Sequence, residues 1–171
     1  GRDYGGGKNV GLLNLGPGDA FGSAVSLRFN QLVVGAPGDD GGSNNFIDSG
    51  AVYSLKFSNT IDFSGPVPVF NYFESGSLIG VYGADYSGTD LLAIGNLEAG
   101  DRFGSSVSLD GFNLAVGAVG DDGTSNALGD AGAVYLLNFA DSNFGLPTLL
   151  GTLGSGYIGG PGDFSVGELD G

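Results

Sequence analysis

The chain repeats itself. Displaced by 82 residues, positions 19–57 fall on positions 101–139 without a gap, and 24 of those 39 positions are identical. Both copies read Asp-x-Phe-Gly-Ser-x-Val-Ser-Leu, then Leu-x-Val-Gly-Ala, then Gly-Asp-Asp-Gly-x-Ser-Asn, then Gly-Ala-Val-Tyr-x-Leu-x-Phe. A period of this size marks one supersecondary unit that buries its apolar face by stacking on a like neighbour. The same displacement sets Asp3-Tyr4 on Asp85-Tyr86, and Asp163-Phe164-Ser165 reads as a further copy of Asp85-Tyr86-Ser87. The expected organisation is a first repeat over 1–82 and a second over 83–160. Residues 161–171 then open a third repeat or act as a donor segment that completes a neighbouring subunit. No signal peptide is visible at the start, so the sequence reads as a mature or internal segment.

Glycine decides the class of secondary structure. It supplies 36 of 171 residues, roughly three times ordinary usage. There is no Gly-X-Y register, so a collagen helix is excluded. Each glycine inside an α-helix costs about 1 kcal/mol relative to alanine, whereas glycine mixed with Asp, Asn and Ser suits tight turns between short strands. Apolar alternation and turn residues predict strands over 10–15, 21–27, 32–36, 51–57 and 66–73 in the first repeat. In the second they fall over 91–97, 103–109, 114–118, 133–139 and 148–153. On 21–27, Phe21, Val25 and Leu27 share one face. The prolines of 66–73 suit an exposed edge. The fold class is therefore all-β: tandem antiparallel sheets of four to five strands, with two repeats and the start of a third.

Five basic residues face nineteen acidic ones, for a net charge of -14. Such a surface repels phosphate backbones, so nucleic acid is not an expected partner. Anionic membrane surfaces are disfavoured for the same reason, and no apolar run approaches the ~20 residues of a membrane helix. Divalent cations are natural counterions, although acidity also serves solubility alone. The chain contains no Cys and no His, which removes disulfides, thiol nucleophiles and the Ser-His-Asp triad. Paired carboxylates can hydrolyse glycosides, but Glu74, Glu98 and Glu168 have no carboxylate at the matching position of the other copy. Gly5-Gly6-Gly7-Lys8 lacks the Lys-Ser/Thr pair of a phosphate loop. An enzyme is not expected.

Three spaced motifs, Phe21-Gly22, Gly35-Ala36-Pro37 and Gly50-Ala51-Val52-Tyr53, resemble the FG-GAP repeat. The second copy keeps Phe103-Gly104 and Gly132-Ala133-Val134-Tyr135 but has Gly117-Ala118-Val119 in the middle. The resemblance covers about half of each repeat. It implies blades of a β-propeller, as in integrin α chains and bacterial surface proteins, and an extracellular or cell-surface location. About 25 residues following the Gly-Ala-Val-Tyr strand exceed the usual blade, and a closed ring takes about four to eight blades. Calcium-binding relatives carry an Asp-rich loop between Phe-Gly and Gly-Ala-Pro. Here residues 28–31 and 110–113 make a tight hairpin there, so that calcium site is not implied for this chain.

A different loop carries oxygen ligands. Asp39, Asp40, Asn44 and Asp48 recur as Asp121, Asp122, Asn126 and Asp130, with glycine between them. Adjacent carboxylates, an amide and a distal carboxylate are the hard donors Ca²⁺ takes. The same residues are also turn formers that hydrogen-bond their own backbone. Both readings stand at this stage. Asp19 and Asp101 are expected to accept backbone hydrogen bonds where a strand begins, and Phe21 and Phe103 to anchor the core, with Gly22 and Gly104 allowing close packing. Phe70, Tyr72, Phe73, Tyr82 and Tyr86 gather near the junction of the repeats, as an inter-repeat contact or a sugar-stacking platform.

These readings lead to a non-enzymatic extracellular structural protein, a subunit of a surface fibre, sheath or layer. Its partners are copies of itself or adjacent repeats. The alternatives are a fragment of an adhesin propeller that binds protein or glycan ligands, and an accessory module of an enzyme.

Overall fold

The computed structural model describes residues 10–12, 15–126, 128–157 and 164–165, with the side chains of Tyr72, Phe164 and Ser165 outside that description. Its strands form two sheets of five. The first contains β1 (Ala24–Arg28), β2 (Gln31–Ala36), β3 (Ala51–Asp62), β4 (Val69–Gly83) and β5 (Leu92–Ala93), in that spatial order. The second contains β6 (Phe103–Asp110), β7 (Asn113–Ala118), β8 (Ala133–Asn138), β9 (Thr148–Gly154) and β10 (Phe164–Ser165), likewise in order. No described residue is helical. Four strands of each sheet run antiparallel, and the fifth adds in parallel. The glycine-rich composition thus resolves into short strands joined by tight turns, each sheet being one blade.

The fifth strands redraw the repeat boundary. Tyr82 pairs with Leu92 in the first sheet and Leu153 with Phe164 in the second. Phe164 therefore takes the place of Leu92, not that of Tyr86, as the Asp163-Phe164-Ser165 alignment had it. Asp163 itself lies outside the described residues. The first sheet takes its last strand from beyond residue 82, and Phe164–Ser165 belongs to the second sheet of its own chain.

Several expected strands shift for identifiable reasons. Residues 10–12 and 15 are not in a strand, although Leu12 and Leu15 are buried. Of 91–97 only Leu92–Ala93 pairs. The strand expected over 21–27 begins at Ala24, because Phe21-Gly22-Ser23 is a turn that crosses between elements. Pro66 and Pro68 lack the N–H that a ladder needs, and they fall in the turn between β3 and β4, so the strand expected over 66–73 starts at Val69 and runs on to Gly83. β3 and β4 have 12 and 15 residues, against 6 and 7 for the matching β8 and β9. The first blade therefore carries a long hairpin arm, bulged between Ser58 and Thr60.

The blades pack face to face. Val33, Val52 and Tyr82 of the first sheet join Phe103, Leu109, Leu114, Val116 and Tyr135 of the second in one core. A second core lies on the other side of the first sheet, where Leu12 and Leu15 cover Val34, Tyr53 and Leu55. Val25 and Leu27 lie on that outer side and are exposed, whereas Leu109, which matches Leu27, is buried by the first blade. The predicted apolar face of β1 is real, but nothing described covers its far end.

Candidate functional site

Each blade is pinned by a buried aspartate at the end of its second strand. Asp39 accepts hydrogen bonds from the Gly41 N–H at 2.9 Å and from the Tyr53 and Tyr86 hydroxyls, both at 2.7 Å. Asp121 repeats this with the Gly123 N–H at 2.9 Å, Tyr135 at 2.6 Å and Tyr157 at 2.9 Å. Both aspartates are buried. A buried carboxylate is tolerated where donors satisfy it, and here each has three. Burial, reinforced by the adjacent carboxylate, pushes the Tyr53 and Tyr135 phenols far up. Burial does the same first of all for Tyr86 and Tyr157. The hydroxyls keep their protons and remain donors.

The other loop residues have backbone duties. Asp40 accepts from the Asp48 N–H at 3.0 Å, and Asp122 from the Asp130 N–H at 2.6 Å. Asn44, Asp48, Asn126 and Asp130 all adopt positive φ, between 50° and 56°, a conformation that Asn and Asp accept more readily than other L-residues. Asn44 is exposed, and the Asn126 amide donates to Glu98. The loop side chains thus diverge to separate tasks, and among the described residues no three acidic side chains gather to hold a metal ion.

Just upstream, Asp19 accepts the Gly16 N–H at 2.6 Å and Asp101 the Glu98 N–H at 2.8 Å. Burial raises the pKa of both carboxyls, that of Asp101 to about 6. The Phe-Gly pairs follow. Phe21 meets Tyr53 edge-on with centroids 5.3 Å apart, and Phe103 meets Tyr135 in the same way at 5.3 Å. Each phenylalanine of the motif thus makes the same edge-on contact with the tyrosine of its own blade.

Phe103-Gly104 also makes the junction between blades. Gly50 bridges in parallel to Phe103. The Gly100, Arg102 and Phe103 N–H groups donate to the carbonyls of Ile47, Asp48 and Ser49 at 2.9, 3.0 and 2.8 Å. Further along, the Leu109 N–H donates to the Ser26 hydroxyl at 3.0 Å. A side chain at Gly35 would overlap the Gly104 carbonyl. Glycine is required there because backbone packs on backbone.

The expected aromatic cluster divides. Tyr82 is buried at the junction against Phe139, 5.5 Å between centroids, and Tyr86 is buried against Asp39. Phe70 and Phe73 lie on the hairpin arm, exposed, with Phe73 edge-on to Phe57. The Tyr72 side chain and Glu168 lie outside the described residues. Tyr157 was not read from the sequence as the partner of Asp121. Its signal is a second, shorter motif, Leu-x-Gly-x-x-Gly-x-x-Tyr, at Leu78 to Tyr86 and again at Leu149 to Tyr157.

Two stacked blades, each locked by an Asp–Tyr–Tyr group and joined through a Phe-Gly pair, define a tandem blade-repeat protein. The family model of the FG-GAP repeat matches residues 15–55 and 89–137, just over half of the sequence, and the chain belongs to that family. Repeats of this family are typically extracellular and have structural or binding roles. No curated protein matches the chain. Among the described residues no helix is long and apolar enough to cross a membrane.

Proposed function

We propose that the chain is a non-enzymatic extracellular structural module, a subunit of a surface fibre, sheath or layer assembled through repeat-to-repeat β packing. One observation carries this reading. Val52, at the junction, is 0% exposed, while Val134, at the same place on the second blade, is 39% exposed. The second blade presents the face that the first one buries, and a sheet face of this kind gains stability when another sheet covers it. Electron microscopy of the purified chain tests the reading. Filaments, sheets or rings are expected, and isolated monomers at every concentration would overturn it.

The loops of Asp39 and Asp121 serve this module as structural turns. Hydroxyl and N–H donors aimed at a carboxylate are the reverse of what a cation needs. Thermal unfolding is expected at the same temperature with and without a calcium chelator, and a fall on chelation would restore the cation reading.

A second reading, an adhesin that binds protein or glycan, draws on the hairpin arm, where Ile61, Phe63 and Val67 are exposed together. Replacing Phe63 by Ser would abolish ligand capture in that case and leave assembly unchanged.

A further inference from the structure

The junction between the two blades is a template, and both of its halves recur unoccupied among the described residues. The upstream half consists of Ser26, Gly35 and Gly50 of the first blade, which receive the second blade. The matching residues of the second blade are Ser108, Gly117 and Gly132, identical in type. Gly117 and Gly132 line an open, mostly apolar groove with Val134 and Leu153, and Ser108 lines a separate apolar hollow with Leu136 and Leu150. The downstream half consists of Phe103, Gly104 and Leu109, and its counterpart in the first blade is Phe21, Gly22 and Leu27, again identical. Around Gly104 the backbone of the neighbouring blade is in contact, whereas no described residue lies within 4 Å of a side chain placed at Gly22. Leu109 is 8% exposed and Leu27 56%.

The free halves already have the docked shape. Ala20 and Arg102, which precede the Phe-Gly pairs, have φ of 54° and 57°, and Gly22 and Gly104 have 99° and 92°. On the receiving side, Asp48 and Asp130 have 53° and 54°, and Gly50 and Gly132 have 86° and 78°. A surface held in its bound conformation loses little ordering entropy on association. Charge fits as well. At the existing junction Arg28 of the upstream blade lies 3.9 Å from Asp110 of the downstream blade. At a copied junction the upstream position is Asp110 and the downstream one Arg28, so the pair re-forms with its signs exchanged.

We infer that the second-blade groove around Gly117 and Gly132 binds the Phe21-Gly22 edge of a second copy of this chain, head to tail, in the geometry of the internal junction. This contact is heterologous, so repetition gives an open filament or a ring. It rests on the self-assembly reading above and specifies the surfaces.

Two variants on opposite halves test it. Among the described residues, only the Ser106 hydroxyl stands close to a methyl added at Gly117, and it can rotate away. Gly117→Ala therefore folds, but its methyl meets the incoming Gly22 backbone, as one at Gly35 would meet Gly104. Leu27→Asp places a charge on the donor edge at an exposed position. In sedimentation velocity the wild type is expected to form species beyond the dimer as concentration rises. Each variant alone stays monomeric with a wild-type circular dichroism spectrum. An equimolar mixture forms a dimer and stops there, because only one edge and one groove remain intact. Val134→Asp, also at an exposed position, is the second groove variant should Gly117→Ala unfold. A wild type that stays monomeric sinks the assembly reading and this one together. A wild type that assembles, with variants that assemble equally or a mixture that stays monomeric, overturns the head-to-tail junction alone.

Discussion

The two blades have nearly the same motifs and unequal surroundings. Their Asp–Tyr–Tyr groups, Phe-Gly backbone angles and strand order coincide, yet Val52 is sealed and Val134 is open, and Leu109 is covered while Leu27 is not. Local sequence therefore sets the shape of a blade, and its neighbour sets what that shape is worth. A buried apolar side chain contributes about 1.5–3 kcal/mol over an exposed one, so the same residue counts fully at the filled junction and little at the open one.

The sharpest break in this comparison comes from glycine. Gly35→Val forces a side chain into the Gly104 backbone, and a loss of about 3 kcal/mol or more is expected in urea unfolding. Gly117→Val, at the equivalent open site, should cost about a third of that or less; equal losses would show that the junction is not what distinguishes the blades. Phenylalanine comes next. Phe103→Ala empties a fully buried position at the junction, with an expected loss of about 3–4 kcal/mol, and Phe21→Ala, half-buried, about half as much, read in the same way.

The likeness of the blades has its own test. Tyr53→Phe and Tyr135→Phe each withdraw one of three donors from a buried aspartate. Both are expected to lose about 1–3 kcal/mol, and to lose it equally, since the two groups are built alike; urea midpoints check this. The smallest effect is electrostatic. Burial raises the Asp101 carboxyl to about 6 from its ordinary 3.8. Between those values the folded chain holds a proton that the unfolded chain has released, so this group's contribution to stability falls as pH rises from 4 to 6. Asp101→Asn is expected to remove that slope relative to wild type, and Asp19→Asn to act in the same direction. Thermal midpoints at pH 4, 5, 6 and 7 read it.

Most of the blade was legible because its strands repeat in register: 32–36, 51–57 and 114–118 lie within β2, β3 and β7. What escaped had physical causes. The length of β4 was hidden by Glu74-Ser75-Gly76-Ser77, a polar, glycine-containing stretch that breaks alternation, yet Ser77 still pairs with Lys56 and Gly76 with Phe57. The partnership of Tyr157 with Asp121 was missed because the second hairpin is shorter, which breaks an alignment kept at one fixed displacement. For the loops, the residue types could not separate cation ligands from turn formers. The tyrosine hydroxyls that occupy Asp39 and Asp121 come from strands and turns distant in sequence, and only the fold brings them together.

The parallel fifth strands bear on how the protein comes off the ribosome. Leu92–Ala93 hydrogen-bonds to β4 yet lies just ahead of the Phe-Gly pair that starts the next blade. A nascent chain arrested at residue 85 would hold four strands with an unpaired edge on β4, and eight more residues would close it. Synthesis thus delivers the edge of one sheet immediately before the opening strand of the next, and the interval in which a bare edge can join the wrong chain is short.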